Sequence, residues 1–134
     1  LLDSTDQVVA TKTGFIAYDT TEKVFKGIID LGTSVTPGNY SIRVKTEKYL
    51  KKRLPIIYPL ALATKHTIAP TKLTVGDING DNTTDIRDYN AIVACFEDKD
   101  CGSNEAFADL DDNGVVDGVD YYVFVRSLSV REGD

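Results

Sequence analysis

Two aspartate-rich segments repeat the same pattern of oxygen-bearing side chains 32 residues apart. The first runs from Asp77 to Asp88 and the second from Asp109 to Asp120. In each segment, Asp or Asn stands at positions 1, 3, 5, 9 and 12 of a twelve-residue loop. Ca²⁺ prefers roughly six to eight oxygen ligands, and such a loop supplies them at these positions together with the backbone carbonyl of position 7. The pattern predicts two calcium ions, one per loop.

The predicted ligands are Asp77, Asn79, Asp81, Thr83, Asp85 and Asp88 in the first loop, and Asp109, Asp111, Asn113, Val115, Asp117 and Asp120 in the second. Position 6 must turn with a positive φ, which Gly114 adopts freely and Asn82 tolerates better than most other residues. Each loop places four carboxylates at ligand positions, so each is expected to need a cation in order to stay compact.

An apolar pattern with helical spacing follows each loop. Its members recur at i, i+3, i+4 and i+7, which is one face of a helix. They are Tyr89, Ile92, Val93 and Phe96 after the first loop, and Tyr121, Phe124, Val125 and Leu128 after the second. A single cluster of Asp, Asn and Gly could be a solvated turn, but two aligned copies with matched helices argue against that. We expect the two helices to pack together, so that calcium binding and folding are coupled.

The charge of the chain is distributed unevenly. Residues 1–75 carry 11 Lys or Arg and 6 Asp or Glu (net +5), whereas residues 76–134 carry 4 and 15 (net −11). The acidic half would repel itself without cations and is unsuited to binding nucleic acid. A basic run, Lys48, Lys51, Lys52 and Arg53, is either a solvated face or a docking patch for an acidic partner.

Residues 1–75 are typical of β structure. Short runs rich in β-branched and aromatic residues are separated by turn residues. Tyr40 to Lys45 alternates, with an apolar face of Tyr40, Ile42 and Val44 and a polar face of Ser41, Arg43 and Lys45. Several short strands at this spacing predict an antiparallel sandwich. The predicted organisation is therefore an all-β module over residues 1–75 and an all-α module over residues 76–134.

Residues 75–131 resemble the dockerin family. The resemblance rests on Gly76-Asp77-Ile78-Asn79-Gly80-Asp81 with Asp85 and Asp88, and on Phe107-Ala108-Asp109-Leu110-Asp111 with Asn113, Asp117 and Asp120. Aspartate at position 12, a helix only after each loop, and the duplication are dockerin traits. The resemblance implies tandem F-hand motifs and an exported, extracellular or cell-surface module that needs calcium to bind a β-sandwich partner, the cohesin, in cellulosome-like assemblies. Loop positions 10 and 11 would contact that partner; here they are Ile86, Arg87, Gly118 and Val119.

The β half resembles another type of module. Pro37 to Lys45, followed by Tyr49-Leu50, is similar to immunoglobulin-like or carboxypeptidase-regulatory-like modules that precede dockerins in bacterial surface proteins. The implied fold for residues 1–75 is an antiparallel immunoglobulin-like sandwich.

The remaining chemistry is sparse. Cys95 and Cys101 could close a disulfide ring or remain two thiols, and an exported context favours the disulfide. The sequence has no nucleophile elbow, phosphate loop or histidine-based metalloprotease motif. We therefore predict a non-enzymatic protein. No apolar run approaches the roughly 18–20 residues that cross a bilayer, so no membrane insertion is expected.

Three functions remain as hypotheses. The first is docking to a cohesin-like protein, with the β half as a spacer or stabiliser. The second is a cell-surface fibre whose copies join head to tail, with an N-terminal strand such as Val8–Thr11 as the candidate for strand addition to a neighbour. Carbohydrate binding ranks last, because the chain has no Trp to form a sugar platform.

Overall fold

The structure is a computed structural model, and it describes residues 1–97 and 105–134, apart from the side chains of residues 105 and 106. The described elements are β1 (Ala17–Asp19), β2 (Val24–Lys26), β3 (Gly38–Val44), β4 (Lys48–Tyr49), β5 (Lys52–Leu60), β6 (Val75–Asp77), α1 (Ile86–Cys95), α2 (Glu105–Ala108) and α3 (Gly118–Ser127). Cys95 is buried, but Cys101 lies outside the described residues, so the disulfide stays a prediction.

The described strands form three two-stranded sheets. β1 pairs with β2 and β4 with β6, both antiparallel, and β3 pairs with β5. The chain thus combines a β module of small sheets with a pair of longer helices, α1 and α3. The immunoglobulin-like sandwich stays a prediction.

The chain forms two compact units, and neither is continuous in sequence. The N-terminal unit contains residues 1–43 and 53–71, and the C-terminal unit contains residues 44–52 and 72–134. Residues 44–52, here called the inserted segment, belong to the unit that contains the helices. They are held there because β4 pairs with β6 and because the Leu50 N–H donates to the Thr74 carbonyl at 2.7 Å. The boundary between residues 75 and 76 stays a prediction, but the C-terminal unit draws one strand from the β half.

The N-terminal unit has a small core, whose buried members are Leu2, Val35, Tyr40, Leu54, Tyr58 and Leu60. Leu2 and Ser41 exchange backbone hydrogen bonds of 2.9 and 3.0 Å, and Leu2 also bridges Val8. The alternating pattern placed Ser41 on a polar face, yet Ser41 is buried. The physical reason is that its backbone pairs with Leu2 while its hydroxyl accepts a hydrogen bond from Arg53 at 2.8 Å.

The core of the C-terminal unit lies around the two helices. Its buried residues are Ile78, Ile92, Cys95, Ala108, Leu110, Val116 and Phe124. The helices bury equivalent positions, namely Asp88, Ile92 and Cys95 on α1 and Asp120, Phe124 and Ser127 on α3.

The predicted apolar stripe was partly wrong, because Val93, Phe96, Tyr121 and Val125 are exposed. The buried face is set by the aspartate at loop position 12, which faces the loop. The residues four and seven places later therefore follow it into the core.

Each loop is tied to the chain that follows the other helix. The Glu97 N–H, just after α1, donates to the Val116 carbonyl in the second loop at 3.0 Å. The Thr84 N–H in the first loop donates to the Arg131 carbonyl, beyond α3, at 2.7 Å. Gly133 continues this contact by donating to the Asn82 carbonyl at 3.0 Å. The two loop–helix motifs are therefore cross-connected through backbone as well as through the core.

Gly76 allows the first loop to begin close to α3. Its φ is +123°, and an added Cβ would lie 2.7 Å from Ser127 Oγ and 3.1 Å from a Thr84 methyl carbon. We expect Gly76→Ala to lower the free energy of unfolding of the C-terminal unit by about 1–3 kcal/mol, measured by chemical denaturation. The matched control is Gly118→Ala, whose Cβ would have no described atom within 4 Å outside its chain neighbours and its own helix backbone. If Gly76→Ala lowered the free energy of unfolding no more than Gly118→Ala does, a glycine would not be required at position 76.

Candidate metal centre

The carboxylates at loop position 12, Asp88 and Asp120, are fully buried. Asp88 accepts three backbone hydrogen bonds, from the N–H groups of Ile78, Asn79 and Asp85 at 2.7, 3.0 and 2.9 Å. Asp120 accepts the three equivalent bonds at 2.6, 3.2 and 2.8 Å. Each position-12 carboxylate thus joins the start of its loop to the start of the helix that follows.

Position 9 of each loop is also the N-cap of a helix. Asp85 precedes α1 and accepts the Arg87 N–H at 2.7 Å, while Asp117 precedes α3 and accepts the Val119 N–H at 2.7 Å. Together with the aspartate at position 12, each forms a capping box. These residues satisfy N–H groups that a helix start leaves free, so the loop pattern also determines where the helices begin.

The first and sixth positions close each loop. One oxygen of Asp77 accepts the Asn82 N–H at 3.1 Å, and one oxygen of Asp109 accepts the Gly114 N–H at 2.8 Å. The φ angles of Asn82 and Gly114 are +70° and +88°, which confirms the predicted left-handed turn at position 6.

Positions 3 and 5 curl the loops with short side-chain turns. The position-3 oxygen accepts the N–H of position 5 at 2.9 Å in the first loop and 3.2 Å in the second. The position-5 oxygen accepts the N–H of position 7 at 2.9 Å in both loops. The residues concerned are Asn79, Asp81 and Thr83, and Asp111, Asn113 and Val115. The same hydrogen bonds recur with the 32-residue offset of the sequence repeat.

Two observations fit a divalent cation held by oxygen. In the second loop, carboxylate oxygens of Asp109, Asp111 and Asp120 lie within 4.8 Å of one another. In the first loop, Asp77 Oδ1 is buried and has no hydrogen-bond partner among the described residues. Clustered carboxylates and a buried, unpaired oxygen are costly unless a cation binds them. These residues therefore suit calcium, a hard ion that prefers oxygen ligands.

Among the predicted calcium ligands, Asp88 and Asp81 of the first loop have pKa values that depart from the ordinary value of an aspartate. Burial raises the pKa of the Asp88 carboxyl, opposed by its three amide hydrogen bonds, and the nearby Asp77 charge raises it further. The Thr83 hydroxyl, with the Thr83 N–H, lowers the pKa of Asp81 to about 2. A carboxylate that is buried beside a like charge gains from a bound cation.

Basic side chains approach both loops. Lys45 forms an ion pair with Asp77, and Arg87 forms one with Asp81 at 3.0 Å. Near the second loop, Lys48 pairs with Asp112 and also donates to the Asp109 carbonyl. Lys45 and Lys48 both belong to the inserted segment. Of the predicted basic run, Lys48 therefore has a carboxylate partner within its own chain, as does Arg53, which pairs with Asp6 at 2.6 Å.

Sequence reasoning missed Lys45, because the strand pattern only placed it on a polar face. It also missed loop position 4, where Gly80 and Asp112 adopt positive φ values of +79° and +59°. The glycine at position 80 was a readable signal for this turn, whereas the role of Lys45 depends on a strand that enters from outside the repeat.

The candidate partner residues lie at the first turns of the long helices. Ile86 and Arg87 begin α1, and Gly118 and Val119 begin α3; all four are exposed. Their exposure is compatible with contact to another protein.

Comparison with protein families matches residues 75–129 to the Dockerin type I domain. No curated protein and no solved structure matches the chain significantly. The match supports the dockerin part of the sequence interpretation and supports calcium as the ion. A dockerin domain is a non-catalytic assembly domain, so this part of the chain is suited to calcium-dependent attachment to another protein. Such domains typically occur in extracellular or cell-surface proteins.

Among the residues that the structure describes, no helix is both long enough and apolar enough to cross a membrane.

The predicted ligand set can be tested within one loop. Asp109→Asn preserves the shape of the side chain but removes its charge at position 1, so we expect calcium binding to that loop to weaken at least about a hundredfold. The matched control is Asp112→Asn, the same chemical change at position 4, where the side chain is 71% exposed. Calorimetric titration of metal-free protein would measure both variants. Equal affinities in the two would exclude Asp109 as a ligand.

Proposed function

We propose that this chain is an extracellular, non-catalytic assembly protein that binds two calcium ions and attaches through its dockerin-like module to a cohesin-like β-sandwich partner. The observation that carries the proposal is the duplicated loop, whose hydrogen bonds repeat from Asp77–Asp88 to Asp109–Asp120. Each ion would be held by the six predicted ligands of its loop. The loops would then fix the helix starts, where the partner binds.

The proposed partner surface consists of Ile86, Arg87, Gly118 and Val119. An open groove adjoins Ile86 and is lined by Tyr89, Phe124, Leu128 and Arg131 among others. An exposed isoleucine beside a partly apolar groove is a good anchor for a protein partner, since buried apolar anchors dominate most interfaces.

Residues 1–75 are proposed as an immunoglobulin-like module that acts as a spacer or stabiliser. Its small sheets and buried residues are compatible with that role, and no catalytic role is assigned to it. An exported location follows from the same proposal, and in that compartment a Cys95–Cys101 disulfide would persist.

The docking proposal predicts that Ile86→Ser weakens calcium-dependent binding to a cohesin-type sandwich by about tenfold or more, because it removes an apolar anchor. The control is Ile57→Ser on β5, since Ile86 and Ile57 are 64% and 65% exposed. Binding is measured by calorimetry in calcium and again in EDTA. Equal binding by both variants would exclude Ile86 from the interface, and binding that persists in EDTA would contradict a calcium-dependent mode.

A second candidate is a self-assembling fibre, and the hairpin of β1 and β2 favours it. Phe15, just before β1, is 96% exposed, and Tyr18, Phe25 and Ile28 are exposed on or beside the same hairpin. Such an apolar patch is typical of an interaction site. A second copy is the proposed occupant, joined head to tail by the +5 and −11 halves of the chain. Strand addition by the candidate segment Val8–Thr11 is less favourable, because Val8 already bridges Leu2 and the Val9 N–H donates to the Leu1 carbonyl at 3.0 Å.

Self-assembly predicts that sedimentation of the chain in calcium shows polymers, and that Phe15→Ser disperses them because it removes the most exposed aromatic side chain of the patch. Ile57→Ser is again the control and should leave the polymers intact. A compact monomer at all concentrations would contradict the fibre and leave the docking proposal standing.

A further inference from the structure

The inserted segment places an ammonium group at the first loop. Lys45 Nζ pairs with Asp77 Oδ2 and also donates to the Tyr49 carbonyl at 2.6 Å, which fixes its position. The Asp77 side chain is fully buried, whereas that of Lys45 is 30% exposed. A buried carboxylate at ligand position 1 therefore has a counter-ion from its own chain.

The second loop has a different charge arrangement. Lys48 lies beside it, but its ion pair is with Asp112 at position 4, outside the predicted ligand set. The oxygens of Asp109 accept backbone N–H groups, and those of Asp109, Asp111 and Asp120 cluster within 4.8 Å. The ligand carboxylates of the second loop thus cluster with one another, whereas in the first loop the ligand Asp77 pairs with Lys45.

We propose that Lys45 acts as a built-in counter-ion that makes the two calcium sites unequal: the first loop binds calcium more weakly than the second and stays ordered without it. The inference rests on the proposed two-site function. A positive charge paired with a ligand carboxylate repels an incoming Ca²⁺ and reduces the charge that attracts it. The exposed pair of Arg87 with Asp81 adds little, because solvent screens it.

Single-site variants measure this inequality. Asp109→Asn weakens the second loop so that the first remains the stronger calcium site, and Asp77→Asn does the reverse. Calorimetric titration of each variant gives the Kd of its remaining site. We expect the first loop to bind about tenfold more weakly. In the Asp109→Asn background, Lys45→Gln should then tighten binding about fivefold or more, because a repulsive charge is removed. The control is Lys52→Gln, since Lys52 Nζ donates to the neutral Lys72 carbonyl and pairs with no carboxylate in the part of the chain that the structure describes.

The full chain gives a second measurement that does not depend on the double variants. Lys45→Gln should lower the melting temperature in EDTA by about 4–8 °C, because Asp77 loses its partner, and leave it unchanged in saturating calcium. A purely structural lysine would lower both melting temperatures equally. Weaker or unchanged calcium binding after Lys45→Gln, or equal sites, would overturn the inference while calcium binding itself stood. If the unaltered chain bound no calcium, the proposed function would fail instead.

Discussion

Asp88 and Asp120 each place a buried carboxylate among three backbone N–H groups. These bonds join the start of a loop, its ninth residue and the helix that follows, so a single side chain determines the loop closure and the helix start together. It also sets which helix face is buried, since Ile92 and Phe124 lie four residues later on the same face. A buried charge is stable only when it is fully hydrogen-bonded or paired with a cation. The packing of the C-terminal unit and its affinity for a cation therefore have the same origin.

The inserted segment adds a constraint that the repeat alone does not contain. β4 pairs with β6, whose last residue is Asp77, the first residue of the first loop. This pairing brings Lys45 to the first loop and Lys48 to the second. The C-terminal unit thus combines the acidic half of the chain with the inserted segment, nine residues that come from the basic half. Part of the charge asymmetry is consequently neutralised within the fold itself.

The C-terminal unit could be predicted in detail because its information is local. The oxygen pattern specifies the loop turns and the left-handed residues Asn82 and Gly114 within twelve residues. The helix starts lie in the same segments, because the structure uses Asp85 and Asp117 as N-caps. The exposed side of the helices was less predictable, because Val93 and Val125 fit an apolar stripe as well as the buried residues do. The N-terminal unit was harder still. Strand pairing depends on distant residues, such as Leu2 with Ser41, and hydrophobic alternation alone does not specify the partner.

The two loop–helix motifs have similar backbone structures but different exposed side chains. The backbone hydrogen bonds accepted at loop positions 1, 3, 5, 9 and 12 recur in both copies, yet loop positions 10 and 11 carry an isoleucine and an arginine in one copy and a glycine and a valine in the other. If the module rotated so that the second motif took the place of the first, a partner would therefore meet different side chains at the equivalent loop positions. Arg87 also pairs with Asp81 inside its own loop, which Val119 cannot do. A partner that recognises Ile86 and Arg87 would consequently bind in one orientation, and the repeat would serve to build a stable scaffold rather than two interchangeable binding faces.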